Sequence, residues 1–257
     1  MSLSSFVFSP LVALALCMLT ANFSLVLARM PAVEPAGITF YVLRVVYPEG
    51  EKKGVTLTAY NKTSGPFLMQ SWIRPVEMAT GNVDLTTTGL PTMPLIVTPP
   101  LARLEAKGEL TLRIRRNGEP LPADRESVFF ISMKAIPAQD PSDKTGQTGT
   151  MVLTLVNNLK VFYRPQGLAR RAVADVATQL RFRREGNRLI ASNPTPYWLT
   201  FSRLIVGEHA LDKEQLRLMV PPKGQQSYVL PAGNSASVAW QLIDEDGWDT
   251  PVEERPL

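Results

Sequence analysis

Cysteine and histidine are nearly missing from this chain of 257 residues, which has one of each, Cys17 and His209. Most protein metal sites draw several ligands from those two side chains, so that class of site is excluded. Cys-His catalysis is excluded on the same ground, and Ser-His catalysis is left with one possible base. His209 sits in the polar stretch Gly207-Glu208-His209-Ala210 and reads as a solvated loop residue, with no G-x-S-x-G elbow to partner it. A phosphate-cradling glycine loop is lacking too, and no cofactor or metal is expected. The net charge of +4 is dispersed apart from short groups, Arg113-Ile114-Arg115-Arg116 and Arg181-Phe182-Arg183-Arg184. Neither zinc-ligand spacing nor an RNA-binding aromatic motif accompanies them, so they read as solvated strand faces rather than a nucleic-acid surface. Paired carboxylates for glycoside hydrolysis are not excluded; the obvious acidic cluster, Asp244-Glu245-Asp246, reads better as a turn or an ion-pair partner.

Charge is absent altogether from Ser2 to Leu27, a segment that includes the apolar run Leu11 to Leu19. Val26-Leu27-Ala28 then offers small or compact residues where a signal peptidase reads, so residues 1–28 are expected to be a secretory signal. No Lys or Arg precedes the apolar run, and the run is near the lower limit for crossing a bilayer, which leaves a retained membrane anchor as the competing reading. Cleavage after Ala28 removes Cys17, so the mature chain has no disulfide. Export permits disulfides without requiring them, and a chain of this size can build its core without staples.

What remains reads as strands. Val55-Thr56-Leu57-Thr58-Ala59-Tyr60, Leu110-Thr111-Leu112-Arg113-Ile114 and Leu216-Arg217-Leu218 all alternate at period two. Gly, Pro and Asn punctuate them, as in Pro48-Glu49-Gly50, Pro99-Pro100, Asn117-Gly118 and Pro221-Pro222. No long stretch has a helical repeat. The pattern predicts an all-β fold of two sandwich domains, one at 29–166 and one at 168–257, divided after Arg164-Pro165-Gln166-Gly167. Leu168 to Ala177, rich in Ala and Arg, is expected to be a helical turn or a junction element. Met151-Val152-Leu153-Thr154-Leu155 alternates and runs into Lys160. Met151, Leu153 and Leu155 share one face of that strand, with Val152, Thr154 and Val156 on the other. Both faces are largely apolar, whereas an edge strand lying on its own core shows polar residues outward.

Several segments, taken in order, resemble the periplasmic chaperones of the chaperone–usher pilus pathway. They are Arg44-Val45-Val46-Tyr47-Pro48-Glu49-Gly50, Gln70-Ser71-Trp72-Ile73, Val97-Thr98-Pro99-Pro100-Leu101-Ala102-Arg103-Leu104, Leu121-Pro122-Ala123-Asp124-Arg125-Glu126-Ser127, Ile136-Pro137, Lys160-Val161-Phe162-Tyr163-Arg164-Pro165 and Asn193-Pro194-Thr195-Pro196-Tyr197. The resemblance implies two immunoglobulin-like domains set at an angle, with a cleft between them. It implies as partners a pilus subunit that lacks the last strand of its own sandwich, and an outer-membrane usher. Arg44 and Lys160 occupy the positions that hold the subunit's C-terminal carboxylate in the family. Charge-assisted hydrogen bonds of that kind contribute roughly 1.5–3 kcal/mol each. Met151, Leu153 and Leu155 would be the donated residues.

The resemblance also implies an interdomain ion-pair network of Glu126, Arg164 and an acidic residue of the second domain. An Asp is expected there, and the simplest alignment gives Glu245. The loop from Pro137 to Met151 is moderate in length and carries no cysteine pair, which favours the short-loop branch of the family. The stretch before Arg44 is longer than the family pattern and is expected to be an additional strand or a loose start. The expected role is therefore non-enzymatic: a periplasmic chaperone that stabilises pilus subunits by donor-strand complementation. The alternative is a secreted structural or adhesive sandwich such as a pilus subunit. Self-association through the exposed strand in the absence of a client stays open.

Overall fold

The structure, a computed structural model, describes residues 37–86, 92–138, 153–230 and 237–257. The expected signal segment with Cys17, the residues Met151 and Val152, and the polar stretch from Asp140 to Gln147 lie outside the described residues. Among the described residues no helix is long and apolar enough to cross a membrane.

Period-two alternation accounts for most of the strands. In Val55–Asn61, Leu57 and Ala59 are buried while Thr56 is exposed. In Glu109–Arg116, Leu112 and Ile114 are buried while Arg113 and Arg115 face water, which is the solvated basic face read from the sequence. The first part of the chain runs through β1 (Ile38–Thr39), β2 (Arg44–Pro48), β3 (Val55–Asn61), β4 (Phe67–Arg74), β5 (Val76–Glu77), β6 (Asn82–Val83), β7 (Leu95–Thr98), β8 (Leu101–Leu104), β9 (Glu109–Arg116), β10 (Ser127–Pro137) and β11 (Leu155–Arg164). These form one sheet of order β1-β3-β9-β7 and a second of order β2-β11-β10-β4-β8, with β5 and β6 as a separate small hairpin. A core of Leu57, Met69, Leu112, Ile114, Ile131, Met133, Val161 and others lies between the two sheets.

The second part contains β12 (Arg181–Glu185), β13 (Arg188–Asn193), β14 (Phe201–Val206), β15 (His209–Ala210), β16 (Gly224–Val229), β17 (Ser237–Leu242) and β18 (Glu253–Pro256). Its sheets, β12-β13-β16 and β15-β14-β17-β18, enclose a separate core around Trp240, Tyr228, Phe201 and Leu204. The all-β, two-sandwich architecture is therefore as expected from the strand pattern.

Three local readings are refined. Leu216-Arg217-Leu218 is not a strand: Lys213–Leu216 is a short helix, and Arg217 and Leu218 follow it in a turn. Asp212 is the reason, because its carboxylate accepts the Gln215 N–H at 2.8 Å and caps the helix. The segment after Gly167 does contain a helical turn, Val173–Val176, followed by a 3₁₀ turn at Ala177–Gln179. His209 is exposed as expected, but it lies in the two-residue β15 rather than in a loop.

The two sandwiches touch. Val128 and Phe162 of the first and Met219 of the second form a small buried cluster, with Val76 and Trp198 packed on it. The β5–β6 hairpin reaches the second sandwich at Gly81, whose φ is +71°. A Cβ there would stand 2.2 Å from the Arg217 carbonyl oxygen, so only glycine permits that approach.

Candidate functional site

β11 has two edges with different fates. Along its whole length it pairs with β10, from Leu155 opposite Ala135 to Tyr163 opposite Ser127. On the other side β2 covers only Lys160 to Arg164, in parallel, with Arg44 opposite Lys160. The chain before β2 does not continue along that edge, because β1 pairs with β3 in the other sheet. From Leu155 to Leu159, therefore, one edge of β11 has no strand beside it among the described residues. An unpaired edge of this kind exposes a row of N–H and C=O groups to any extended chain of matching register.

The exposed end of β11 is apolar. Leu153 and Leu155 are 76% and 62% exposed, and Val156 is 49% exposed. Leu155 has the same parity as Leu159, Val161 and Tyr163, which join the core. Its neighbour across the ladder, Ala135, is buried. The leucine is left in water because β2 stops short of it and no strand covers that side. Leu153 precedes β11, which begins at Leu155.

The free edge ends at a pair of cations. As register partners in a parallel pair, Arg44 and Lys160 project from the same face of the sheet. Arg44 is buried, its Nη1 donating to the carbonyl of Ile243 in the second sandwich at 2.9 Å and its guanidinium lying 5.2 Å from the centre of the Phe162 ring. Burial pulls its pKa down to about 10, against the opposing attraction of Glu245, Asp244 and Glu126. Lys160 is partly buried, and burial first, then the charge of Arg44, lower its ammonium to about 8. Among the described residues the Lys160 ammonium has no hydrogen-bond or ion-pair partner. It lines a cavity of about 480 Å³ together with Trp72, Phe130, Ser132 and Asn158 of its own sheet and Arg217 of the second sandwich. Two desolvated cations thus stand side by side, and Lys160 faces the open space.

A second constellation lies at the junction of the sandwiches. The buried Arg164 is 2.6 Å from Glu126 and 3.1 Å from Glu245, and its Nη1 also donates to the carbonyls of Ala169 and Arg170 at 2.7 Å. Its guanidinium stacks over Tyr197 at 4.7 Å. Glu245 accepts the backbone N–H groups of Ala172 and Val173, and Glu126 accepts that of Trp198 at 2.8 Å. Burial pushes the Glu126 carboxyl above its ordinary value despite the nearby guanidinium. The acidic cluster is thus a turn whose members are already engaged, with Asp246 paired to Arg171. Among the described residues no group of side chains could hold a metal ion.

Residues 37–169 match the model of the pili and flagellar-assembly chaperone PapD N-terminal domain, and residues 175–254 match the C-terminal domain of the pili assembly chaperone PapD. The chain belongs to the pili assembly chaperone family. Chaperone protein FimC of Escherichia coli is 36% identical over 217 residues, covering 84% of this chain and 83% of that protein. Chaperone protein FimB/FhaD of Bordetella pertussis is 32% identical over 232 residues, 88% and 91% of the two chains. Among solved structures, the SafB chaperone in complex with SafA pilin from Salmonella enterica superposes with a TM-score of 0.72 at 28% identity, covering 88% of this chain and 99% of that one. The chaperone DraB of Escherichia coli gives 0.70 at 33% identity, over 86% and 96%. The protein is a periplasmic pilus-assembly chaperone, a folding and assembly role that involves no catalysis. These relatives are chaperones and not subunits, so the alternative of a pilus subunit is not favoured.

Sequence reasoning missed several groups around the chaperone's cleft. Ile243 acts through its carbonyl, as do Ala169 and Arg170, and backbone acceptors leave no trace in residue identity. Arg217, Phe130 and Ser132 carry no motif of their own. Alternation in β10 would have placed Phe130 and Ser132 on the face of Lys160, but only pairing across the sheet brings them together.

Proposed function

We propose that this chaperone binds a pilus subunit by pairing the free edge of β11 with the subunit's C-terminal strand, while Arg44 and Lys160 hold the terminal carboxylate. The observation that carries the reading is the coincidence of two endpoints: the free edge stops where β2 begins, and the cation pair stands there. A strand whose carboxylate lies at Lys160 and which runs back along Leu159 to Leu155 is parallel to β11. Its backbone completes the ladder on one side of β11 and fixes the register from the anchored end.

Leu153 and Leu155, with Met151 upstream, would enter the subunit's open groove, each contributing about 1.5–3 kcal/mol if fully buried. The ion-pair network of Glu126, Arg164 and Glu245 would hold the two sandwiches at the orientation in which Ile243 meets Arg44. The subunit would then pass to an outer-membrane usher.

Co-expression in the periplasm with a subunit of the same pilus, followed by affinity recovery, tests the reading. Wild type is expected to bring down the subunit, whereas Arg44→Ala and Lys160→Ala fold and bring down little. Equal recovery by those variants would sink the anchor assignment. Loss of recovery on deleting the subunit's last residues, with the rest intact, is the complementary result.

A further inference from the structure

We infer that Leu43 and Trp248, one from each sandwich, form an apolar clamp for the side chain of the client's last residue. The inference rests on the reading of the β11 edge given above and adds a chemical requirement to it. A client strand lying along Leu155 to Leu159 and parallel to β11 is collinear with β2 and meets it head to tail. The residue it abuts is Leu43, the last one before β2 begins.

From the other sandwich the turn after Ile243 reaches the same place. The Ile243 carbonyl accepts from Arg44, and the side chain of Leu43 lies over Gly247, where a Cβ would stand 3.1 Å from the leucine Cδ1. Gly247 has φ +92°, so it supplies both the turn and the room. Trp248 follows it. Its backbone is pinned, with its N–H donating to the Asp244 carboxylate and its carbonyl accepting from the Asp244 N–H, both at 2.8 Å.

Yet the two side chains stay in water: Leu43 is 67% exposed and Trp248 is 73% exposed. A large aromatic ring on a fixed backbone, left uncovered one residue after the glycine on which Leu43 lies, has the make-up of an interface anchor. The position next to the carboxylate receptor makes the occupant the side chain that carries that carboxylate. The clamp therefore selects clients ending in an apolar or aromatic residue.

The test uses extended peptides with a common alternating apolar sequence, differing only in the last residue, Phe or Ser, and a C-terminal amide of the Phe peptide. Binding to the chaperone is measured by calorimetry and by tryptophan emission. The Phe peptide is expected to bind about tenfold more tightly than the Ser peptide, the usual scale for one well-buried interface side chain. It should also shift the emission to the blue, and Trp248→Phe should abolish most of that shift.

In the doubly substituted Leu43→Ser, Trp248→Ala chaperone the Phe and Ser peptides should bind alike, with thermal unfolding unchanged because both side chains are exposed. The amide should bind poorly to wild type and variant. Equal binding of the Phe and Ser peptides to wild type, with the amide still weak, overturns the clamp and leaves the anchor standing. Equal binding of acid and amide, or no binding by any peptide, overturns the anchor and the clamp with it.

Discussion

Lys160 stands directly opposite Arg44 across the parallel pair of β11 and β2, with no anion of the described chain to balance it. Burial and then Arg44 hold its pKa near 8 in the free protein, and a bound carboxylate would raise it. The sign follows: below about pH 8 the lysine is already charged and client affinity is flat, whereas above it the complex must take up a proton to form. Affinity for a carboxylate-ended peptide should therefore fall as pH rises through 8, by up to about tenfold per unit, until the pKa of the complex is passed. Calorimetry between about pH 6.5 and 9.5 reads this directly. Lys160→Arg should flatten the profile, and a flat profile in wild type would remove Lys160 from the carboxylate site.

The same unbalanced charge should cost the free protein stability. A lysine whose folded pKa lies below its unfolded value makes the charged fold less stable at neutral pH, and the penalty disappears as pH rises from the folded toward the unfolded value. Lys160→Met keeps the stem and removes the charge. Urea unfolding at pH 7 should show a gain on the order of 1–3 kcal/mol, while subunit recovery is lost. A variant that is both less stable and client-free would mean that the lysine serves the fold.

How much of this was legible in the sequence depended on how local the determinant was. The strands of both sandwiches follow from alternation and from Gly, Pro and Asn punctuation, since those signals act within a few residues. Leu216-Arg217-Leu218 shows the limit: three alternating residues carried less weight than one aspartate placed to cap a helix. The motifs single out Arg44, Lys160, Glu126 and Arg164, which the fold brings together in two groups, but their partners are partly backbone groups with no side-chain signature. Alternation alone does not separate Leu155 from the core. Its parity is that of the core residue Val161, and the point where β2 begins decides that one is buried and the other is not.

That difference gives a paired test. Leu155→Ser removes an already exposed side chain, so stability should change by no more than about 0.5 kcal/mol, while complex yield with a subunit falls severalfold. Val161→Ser, three repeats of the pleat further along the core face, should instead cost roughly 2–4 kcal/mol and lower expression. Thermal unfolding with parallel subunit recovery separates the two outcomes. A Leu155→Ser chaperone that recovers subunit as well as wild type would rule out the leucine as a donated residue.

The junction offers the last test. Glu126 and Glu245 flank the same guanidinium, but their side chains are 1% and 10% exposed, and the first also fixes the Trp198 backbone. Removing Glu126 strands a fully buried cation, so Glu126→Ala should destabilise by about 3–5 kcal/mol. Glu245→Ala leaves the pair of Arg164 and Glu126 in place and frees the N–H groups of Ala172 and Val173, at a cost of about 1–3 kcal/mol. Its distinctive effect should be positional. The turn that carries Glu245 also carries the Ile243 carbonyl that holds Arg44, so loosening it disturbs the carboxylate receptor from a distance. Glu245→Ala is expected to weaken client binding and to open the segment from Pro165 to Ala172 to limited proteolysis, with both sandwich cores intact by tryptophan emission. Glu245→Asp, one methylene shorter, should fall between the variant and wild type in both readouts. Unchanged client affinity together with an unchanged cleavage pattern in Glu245→Ala would show that the network does not set the geometry of the cleft.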